Sequence, residues 1–256
     1  MASQENHGAA EFNLPPNMED LLRTGLTPFR ETRGYATPLY NVDNHPDLLV
    51  RLSHTEDFAE EVAQALASLE DVARFGICVL PSQLFVVDGH CHVVTKKVTG
   101  QSLSDILQTP TDHILERTDT LYSGIGNYTI EAMQLGKRVA GDIDDPTQYM
   151  QGLISGDSMP KLWLTDLPDG TADLAHPRLK DQNYNLAIMA WVNGIIDVEN
   201  LTGATLSTAR QTTAEAFELS GHTYLGERWV AAFQDALKSR QILDSDEPPI
   251  ADLRTF

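Results

Sequence analysis

The sequence contains only two cysteines, Cys78 and Cys91, among its 256 residues. Two thiols are too few for the disulfide framework on which many small secreted domains depend. Nothing near Met1 resembles a basic segment followed by an apolar stretch, which is the pattern of a secretory signal. We therefore expect the protein to be cytoplasmic.

Basic residues are also scarce. The chain has 18 Lys and Arg against 37 Asp and Glu, and its formal net charge is -19. Binding to a nucleic-acid backbone depends on a concentration of Lys and Arg that neutralises phosphates. We expect no nucleic-acid partner, whereas acidity of this size favours solubility and attracts cationic partners.

Long apolar runs are missing as well. The most apolar helical stretch, LAIMAWVNGII at 186–196, contains Asn193 and is far shorter than the roughly 20 residues that span a bilayer. No membrane span is expected. The hydrophobic fraction of 41% is that of an ordinary folded protein, and 256 residues suffice for one large domain or two small ones.

Composition divides the chain into four segments. Residues 1–17 and 244–256 are polar and proline-containing, which predicts a flexible tail at each end. Residues 18–99 are rich in β-branched runs and contain one helical pattern, whereas helical periods dominate residues 100–243. The sequence therefore predicts an α+β fold with two lobes that meet near Gly100.

Two hairpins and a long helix are the clearest local signals. Asp88-Gly89 between two β-branched runs is typical of a tight hairpin turn. Apolar residues spaced by four and three form one helical stripe, which runs Ile114, Thr118, Leu121, Ile125, Tyr128, Ala132, Leu135. The stretches QYMQGL and KLWLTD predict a second hairpin ending at Asp166, and three helices are expected at about 183–199, 204–219 and 225–240.

Four motifs follow this order of elements: LLVRLS, VVTKKVTGQSLSDIL, AGDIDDPTQY and LWLTDL. Together they resemble the protein-kinase-like superfamily over roughly residues 34–220, in the branch of aminoglycoside phosphotransferases and small bacterial kinase-like proteins. The resemblance implies a small antiparallel-sheet N-lobe with one helix, followed by a mainly helical C-lobe. It also implies ATP and Mg²⁺ as cofactors.

On the nucleotide side, the resemblance assigns roles to four residues. Arg51 stands where the family has a lysine on the nucleotide phosphates, and Glu61 on the following helix would pair with it. The segment from Lys97 to Thr99 corresponds to the hinge between the lobes, whose backbone would face the adenine ring.

On the catalytic side, the resemblance makes Asp142 the catalytic base. Gln148 stands near the position of the metal-binding asparagine, and Asp166 ends the strand that carries the second metal ligand. Phosphoryl transfer needs mainly positioning and electrostatic stabilisation, so two carboxylates and an amide around Mg²⁺ can supply most of it.

Several positions depart from the family pattern. Arg51 replaces a lysine, and its planar fork does not substitute for a compact ammonium group. Ala140 replaces the histidine of a His-Gly-Asp loop, Gln148 is longer than asparagine and displaced by one residue, and DLPDG stands for Asp-Phe-Gly. We therefore expect a pseudokinase or a weakly active binding and regulatory module that holds Mg-ATP.

Two alternatives remain open. One is an active ATP-dependent phosphotransferase that acts on a hydroxyl of a protein or small molecule, with an acceptor of cationic character. The other is an unrelated α+β protein without a nucleotide site. In that case Asp142 lies in an exposed acidic turn, Asp166 caps a hairpin, Glu61 faces water, and Lys96 and Lys97 are solvated edge charges.

Overall fold

The computed structural model describes residues 12–29, 38–53, 59–134, 139–140, 143, 146–165 and 171–172, and residues 228, 231, 232, 235, 236, 238 and 239. The helices are α1 (Met18–Thr24), α2 (Ala59–Ala73), α3 (Leu103–Ile106), α4 (Asp112–Gln134) and a 3-10 helix at Pro146–Gln148. The strands are β1 (Leu26–Pro28), β2 (Leu39–Val42), β3 (His45–Ser53), β4 (Cys78–Val79), β5 (Ser82–Val87), β6 (His90–Lys96), β7 (Thr99–Ser102), β8 (Val139–Ala140), β9 (Tyr149–Leu153), β10 (Lys161–Leu164) and β11 (Thr171–Ala172).

The first lobe is a five-stranded antiparallel sheet in the order β1-β2-β3-β6-β5. Helix α2 is inserted between β3 and β5 in the chain, and its buried side is formed by Ala65, Leu69 and Val72. The hairpin of β5 and β6 turns at Asp88 (φ 51°) and Gly89 (φ 77°), as the Asp-Gly pair predicts.

One face of this sheet packs against α1 and the segment before it. Met18 and Leu22 of α1 are buried against Val50 and Val94 of the two central strands. Phe12 and Leu14 join the same cluster, within the range for which the sequence predicts a loose tail. Helix α1 and the segment before it thus cover the outer face of the first sheet. The opposite, inner face is directed toward α2 and the second lobe.

The second lobe begins with a four-stranded sheet in the order β4-β10-β9-β7. The antiparallel pair of β9 and β10 is the second predicted hairpin, and the short β4 adds to β10 in parallel. A small core of Leu80, Val98, Ile154 and Trp163 lies on this sheet. Because β4 and β7 directly flank β5 and β6 in the chain, the two sheets are connected at two places.

Helix α4 follows the predicted stripe. Its residues Ile114, Thr118, Leu121, Ile125 and Tyr128 are all buried, and Thr118 donates its hydroxyl proton to the carbonyl of Ile114 at 2.8 Å. Ala132 and Leu135 lie outside the part whose side chains are described. The predicted helices at 183–199 and 204–219 also lie outside the described residues, and the described positions between 228 and 239 are helical.

The α+β fold class is confirmed for the described residues, with a small antiparallel sheet in the first of two lobes. That lobe carries two described helices, α1 and α2, where the sequence predicts one, because α1 covers the outer face of the sheet. The long helix and the second hairpin follow in the order that the resemblance implies. Among the helices described, none combines the length and apolar character that a membrane crossing requires.

Two glycines face each other where β7 meets β9. Gly100 pairs with Gly152. A Cβ atom on Gly100 would lie 2.0 Å from the carbonyl oxygen of Gln151, and one on Gly152 would lie 2.4 Å from the carbonyl oxygen of Thr99. Only glycine permits this close approach of the two backbones.

We expect Gly100→Ala to lower the free energy of unfolding by about 1–3 kcal/mol, because the added methyl group forces paired backbones apart. Urea unfolding monitored by circular dichroism measures the loss. Gly25→Ala is the control, since its new Cβ would come no nearer than 3.1 Å to any atom outside the adjoining residues, whereas that of Gly100 would lie 2.0 Å from a backbone oxygen. Equal losses in the two variants would contradict the close-approach explanation.

A buried histidine lies in the middle of the first sheet. His92 is 6% exposed, and its Nδ1 atom has no hydrogen-bond partner among the described residues. Burial lowers its pKa, and the neighbouring His90 lowers it further, whereas a backbone hydrogen bond with Val87 and the charge of Asp88 act in the opposite direction. The fold therefore favours the neutral imidazole.

The unfolded chain has an ordinary histidine pKa of 6.5 at this position. Between that value and the lower folded value, the unfolded state binds more protons, so stability should fall as the pH drops below about 6.5. Urea unfolding at several pH values between 8 and 5 measures this loss. His92→Leu should flatten the dependence over that interval, and an unchanged slope in the variant would assign the loss to other groups.

Candidate functional site

Residues from both sheets line a cavity of about 610 Å³. This volume is within the range of sites that hold a cofactor or drug-sized ligand. Apolar side chains form much of its wall, namely Leu39, Leu49, Leu80, Val93, Val98, Met150 and Leu164. The cavity therefore lies between the inner face of the first sheet and the hairpin of the second, with apolar side chains from both.

The wall also carries cationic side chains. Arg51, Lys96 and Lys97 line the cavity, and Asp105 is the carboxylate among the lining residues that the structure describes. In a chain with a formal net charge of -19, this local excess of positive charge is unusual. A cleft with one sign of charge and low-dielectric walls attracts ligands of the opposite charge.

Lys96 is held by an ion pair. Its Nζ atom lies 2.8 Å from Oδ2 of Asp47, and its side chain is only 16% exposed. The hydrogen bond from Lys96 is the largest influence on the pKa of Asp47 and holds it below its usual range, although partial burial opposes the shift. This lysine is consequently not the solvated edge charge considered from the sequence.

Lys97 is fixed to the first sheet in three ways. Its backbone N–H donates to the carbonyl of Asp47 at 2.8 Å, and its Nζ donates to Oδ1 of Asn41 at 3.3 Å. The same Nζ lies 4.6 Å from the ring centre of Phe29, within the range of a cation–π interaction. The predicted hinge therefore begins at Lys97, which is held to β2 and β3 of the first sheet.

Three of the four residues predicted on the nucleotide side, Arg51, Lys97 and Thr99, line the same cavity. Glu61 does not line it and is exposed in the first turn of α2. No ion pair joins Glu61 to Arg51 in the described part of the chain, so the expected pair is not formed here. The physical reason is that α2 turns its buried side inward only from Ala65 onward, while Glu61 remains in water near the positive end of the helix.

Asp142 lies outside the described residues, but the backbone on both sides of it is fixed. The N–H of Ala140 donates to the hydroxyl oxygen of Tyr128 at 2.9 Å, and the carbonyl of Ile143 accepts the hydroxyl proton of Tyr149 at 2.5 Å. Burial raises the pKa of Tyr128, which keeps its phenol neutral. Helix α4 and the start of β9 thus hold the two flanks of the acidic loop.

Gln148 and Thr165 lie at the same end of the β9–β10 hairpin. The carbonyl of Gln148 accepts two hydrogen bonds from Thr165, one from the backbone N–H at 2.8 Å and one from the hydroxyl at 3.0 Å. Thr165 also lines the cavity. Because Asp166 is the next residue, the backbone that leads into this second acid is tied to Gln148, although Asp166 itself is outside the described residues.

The side chain of Gln148 contains an unsatisfied acceptor. Its Oε1 atom is buried and has no hydrogen-bond partner among the residues described. A buried amide oxygen without a partner costs about 1–3 kcal/mol, which is a reason to expect a ligand there. Amide oxygens are also suitable ligands for Mg²⁺ and Ca²⁺.

Sequence reasoning missed the two tyrosine anchors and two of the hydroxyl residues on the cavity wall, Ser82 and Thr95. Tyr128 was recognised only as a member of the apolar stripe. A buried phenol nevertheless needs a hydrogen-bond partner, and that requirement was the available signal. The partners themselves, Ala140 and Ile143, are brought near by the tertiary fold.

No family model matches the chain, and no curated protein matches it. Among solved structures, the chain is similar to the pseudokinase domain of BIR2, an immune regulator of the RLK/Pelle family. The TM-score is 0.42 at 9% identity, over 88% of this chain and 93% of that chain. This is a likeness of overall arrangement alone, so the fold class rests on the strand order given above, and the aminoglycoside phosphotransferase branch stays a prediction.

Tyr149→Phe should destabilise the protein by about 1–3 kcal/mol, because it leaves the buried carbonyl of Ile143 without its donor. Urea unfolding provides the measurement. Tyr40→Phe, which removes the hydroxyl of a half-buried tyrosine in β2, serves as the control for loss of a phenolic oxygen. If the free energy of unfolding fell equally little in both variants, the hydrogen bond from Tyr149 would not stabilise the fold.

Proposed function

We propose that the cavity binds Mg-ATP and that the protein is a kinase-like binding or regulatory module with weak or no phosphoryl transfer. The double hydrogen bond between Gln148 and Thr165 carries this proposal. It joins Gln148, one expected metal ligand, to Thr165, the residue that precedes the other expected ligand, Asp166. Thr165 lines the cavity, and Gln148, which does not, lies two residues before the lining residue Met150.

The composition of the cavity supports a nucleotide as the ligand. A purine ring needs apolar surface above and below it, and phosphates need cations. Leu49 and Met150 come from different sheets and offer apolar surface for the ring. Arg51, on the same strand as Leu49, offers a cation for the phosphates. Arg51 would contact the phosphates, and backbone groups from Lys97 to Thr99 would lie along the base.

The metal would be held on the other side of the phosphates. Gln148 would provide its amide oxygen and Asp166 its carboxylate, and Mg²⁺ supplies neutralisation of the phosphate charge when bound. The buried, unpartnered Oε1 atom of Gln148 supports this role, since coordination would satisfy it. Asp142 would accept the proton of an attacking hydroxyl if transfer occurs.

Weak or absent catalysis is proposed because the departures affect separate functions. Arg51 replaces the phosphate lysine, Ala140 the loop histidine and Gln148 the metal-binding asparagine. In addition, Glu61 is exposed rather than paired with Arg51. Catalysis by positioning is sensitive to misplacement of about 1 Å, whereas binding tolerates such changes better.

An active phosphotransferase is the second candidate function. The observation that favours it is the fixation of both flanks of Asp142 by Tyr128 and Tyr149, since a catalytic base needs a rigid position. Its acceptor would be a hydroxyl compound or protein, and the acidic chain favours an acceptor of cationic character.

Calorimetric titration of ATP, with and without Mg²⁺, tests the proposed function. We expect magnesium to strengthen binding at least tenfold and Asp166→Asn to abolish that difference. Asp43→Asn removes an exposed carboxylate from the turn between β2 and β3 and is the matched control. Absence of ATP binding in the unaltered protein would contradict the proposal.

A separate assay of phosphate release and transfer distinguishes the two candidate functions. Turnover that is present in the unaltered protein and lost in Asp142→Asn would establish the active phosphotransferase and contradict the regulatory module. Magnesium-dependent binding without turnover is the result expected here.

A further inference from the structure

The first sheet ends at β5, which is an edge strand in the described part of the chain. Its six residues, Ser82–Val87, include no charged side chain and no proline. The other edge strand, β1, is only three residues long and contains Pro28. Short length, proline and charge are the features that keep an edge strand from pairing with a further strand. Because β5 has none of them, its edge can accept another strand.

The register of the sheet shows which backbone groups of β5 point outward. The carbonyl of Pro81 accepts a hydrogen bond from the N–H of Lys96 at 3.4 Å, one residue pair before β5 begins. Bonded pairs alternate along an antiparallel ladder, so the odd-numbered residues of β5 direct their backbone groups toward β6. Leu84 and Val86 therefore direct their N–H and C=O groups away from the sheet, and Val86 is 47% exposed.

A cavity of about 400 Å³ lies beside this edge, on the outer face of the sheet. Gln83 and Phe85 of β5 form one side of it, and the segment 14–20 forms the other. Side chains at opposite positions of paired strands point to the same face. A strand added to β5 would therefore place every second side chain next to this cavity, where Phe85 and Leu14 provide apolar surface.

Three carboxylates surround a single guanidinium group next to β5. Arg23 of α1 lies 3.8 Å from Glu19, 3.3 Å from Asp20 and 3.4 Å from Asp88, which is in the turn after β5. Two negative charges are therefore left over, and Glu19 and Asp20 also line the cavity. Pairing two copies of this chain through β5 would bring two such clusters together in molecules of formal net charge -19. Charge complementarity instead favours a partner with basic side chains.

We propose that β5 is the docking site of an extended peptide segment in which basic and apolar side chains share one face. Backbone hydrogen bonds to Leu84 and Val86 add the segment to the sheet as a sixth strand. An apolar side chain opposite Phe85 contacts the cavity, and basic side chains two residues before and after it reach the carboxylates around Arg23. The docking site is independent of the candidate nucleotide site, because the latter lies on the inner face of the sheet.

Calorimetric titration with the end-blocked peptide Lys-Thr-Leu-Thr-Lys tests the proposal, since its side-chain pattern is the same in both strand directions. We expect it to bind about tenfold more tightly than Glu-Thr-Leu-Thr-Glu, and the difference to shrink as salt rises from about 50 mM to about 500 mM. Val86→Pro removes an N–H that points away from β6, so it should weaken binding about tenfold while the sheet stays intact. Val86→Thr keeps the N–H and the β-branched shape and should bind like the unaltered protein.

Two further measurements locate the peptide. Amide hydrogen exchange, followed by nuclear magnetic resonance on the unaltered protein, should show Leu84 and Val86 protected when the lysine peptide is bound. The double variant Glu19→Gln with Asp20→Asn should reduce the preference for the lysine peptide. Asp112→Asn, which removes an exposed carboxylate from the first turn of α4, is its control and should leave the preference unchanged.

Absence of binding, or equal affinities for the two peptides, would overturn the proposal. So would missing protection of both amides, or full binding by Val86→Pro when circular dichroism shows the variant folded. A dimer of the unaltered protein that Val86→Pro dissociates, detected by analytical ultracentrifugation, would assign the edge to a second copy of this chain and contradict the proposal as well. None of these results depends on whether the protein binds ATP.

Discussion

The carbonyl oxygen of Gln148 accepts two hydrogen bonds from Thr165, and the geometry of the candidate site depends on this contact. It closes the end of the β9–β10 hairpin at which one strand begins and the other ends. The 3-10 helix at Pro146–Gln148 runs directly into β9, so Gln148 is the residue at which the helix ends and the hairpin begins. Thr165 lines the cavity, and this contact holds Gln148 beside it although Gln148 is not itself a lining residue.

The second constraint is the position of charge in a strongly acidic chain. Surface acids outnumber bases, yet the cavity wall concentrates three cations, and two of them are held by defined partners. Lys96 is neutralised by Asp47, and Lys97 is placed over Phe29. Arg51 lines the same cavity from the central strand β3 and adds the third cation to its wall.

How far the sequence predicts the fold depends on the range of the interactions involved. Asp88-Gly89 predicted its hairpin because both residues adopt positive φ, and the α4 stripe predicted the buried face because helix period is local. Arg51, Lys97 and Thr99 were placed in one site by a family pattern, and the structure puts all three on one cavity wall. Glu61 is exposed in the first turn of α2, and its distance from Arg51 depends on how α2 is set against the sheet, which no local pattern specifies.

Contacts between distant segments were beyond sequence reasoning. The bond from Tyr149 to Ile143 and the one from Ala140 to Tyr128 join groups whose proximity only the folded chain creates. The same is true of Ser82 and Thr95, which are ordinary strand residues until the register of β5 and β6 sets them side by side. Local patterns therefore identified the elements, whereas the chemistry of the cavity wall is defined by register.

Binding and catalysis place different demands on this wall. The proposed binding needs apolar surface and a cation, and the described residues that line the cavity include both. Transfer needs in addition that the base, the metal ligands and the phosphate cation keep one arrangement together. In the proposed site the departures at Arg51, Ala140 and Gln148 would affect that arrangement, while the aliphatic side chains of the cavity wall are independent of it. Loss of transfer with retention of binding therefore requires no change in the fold.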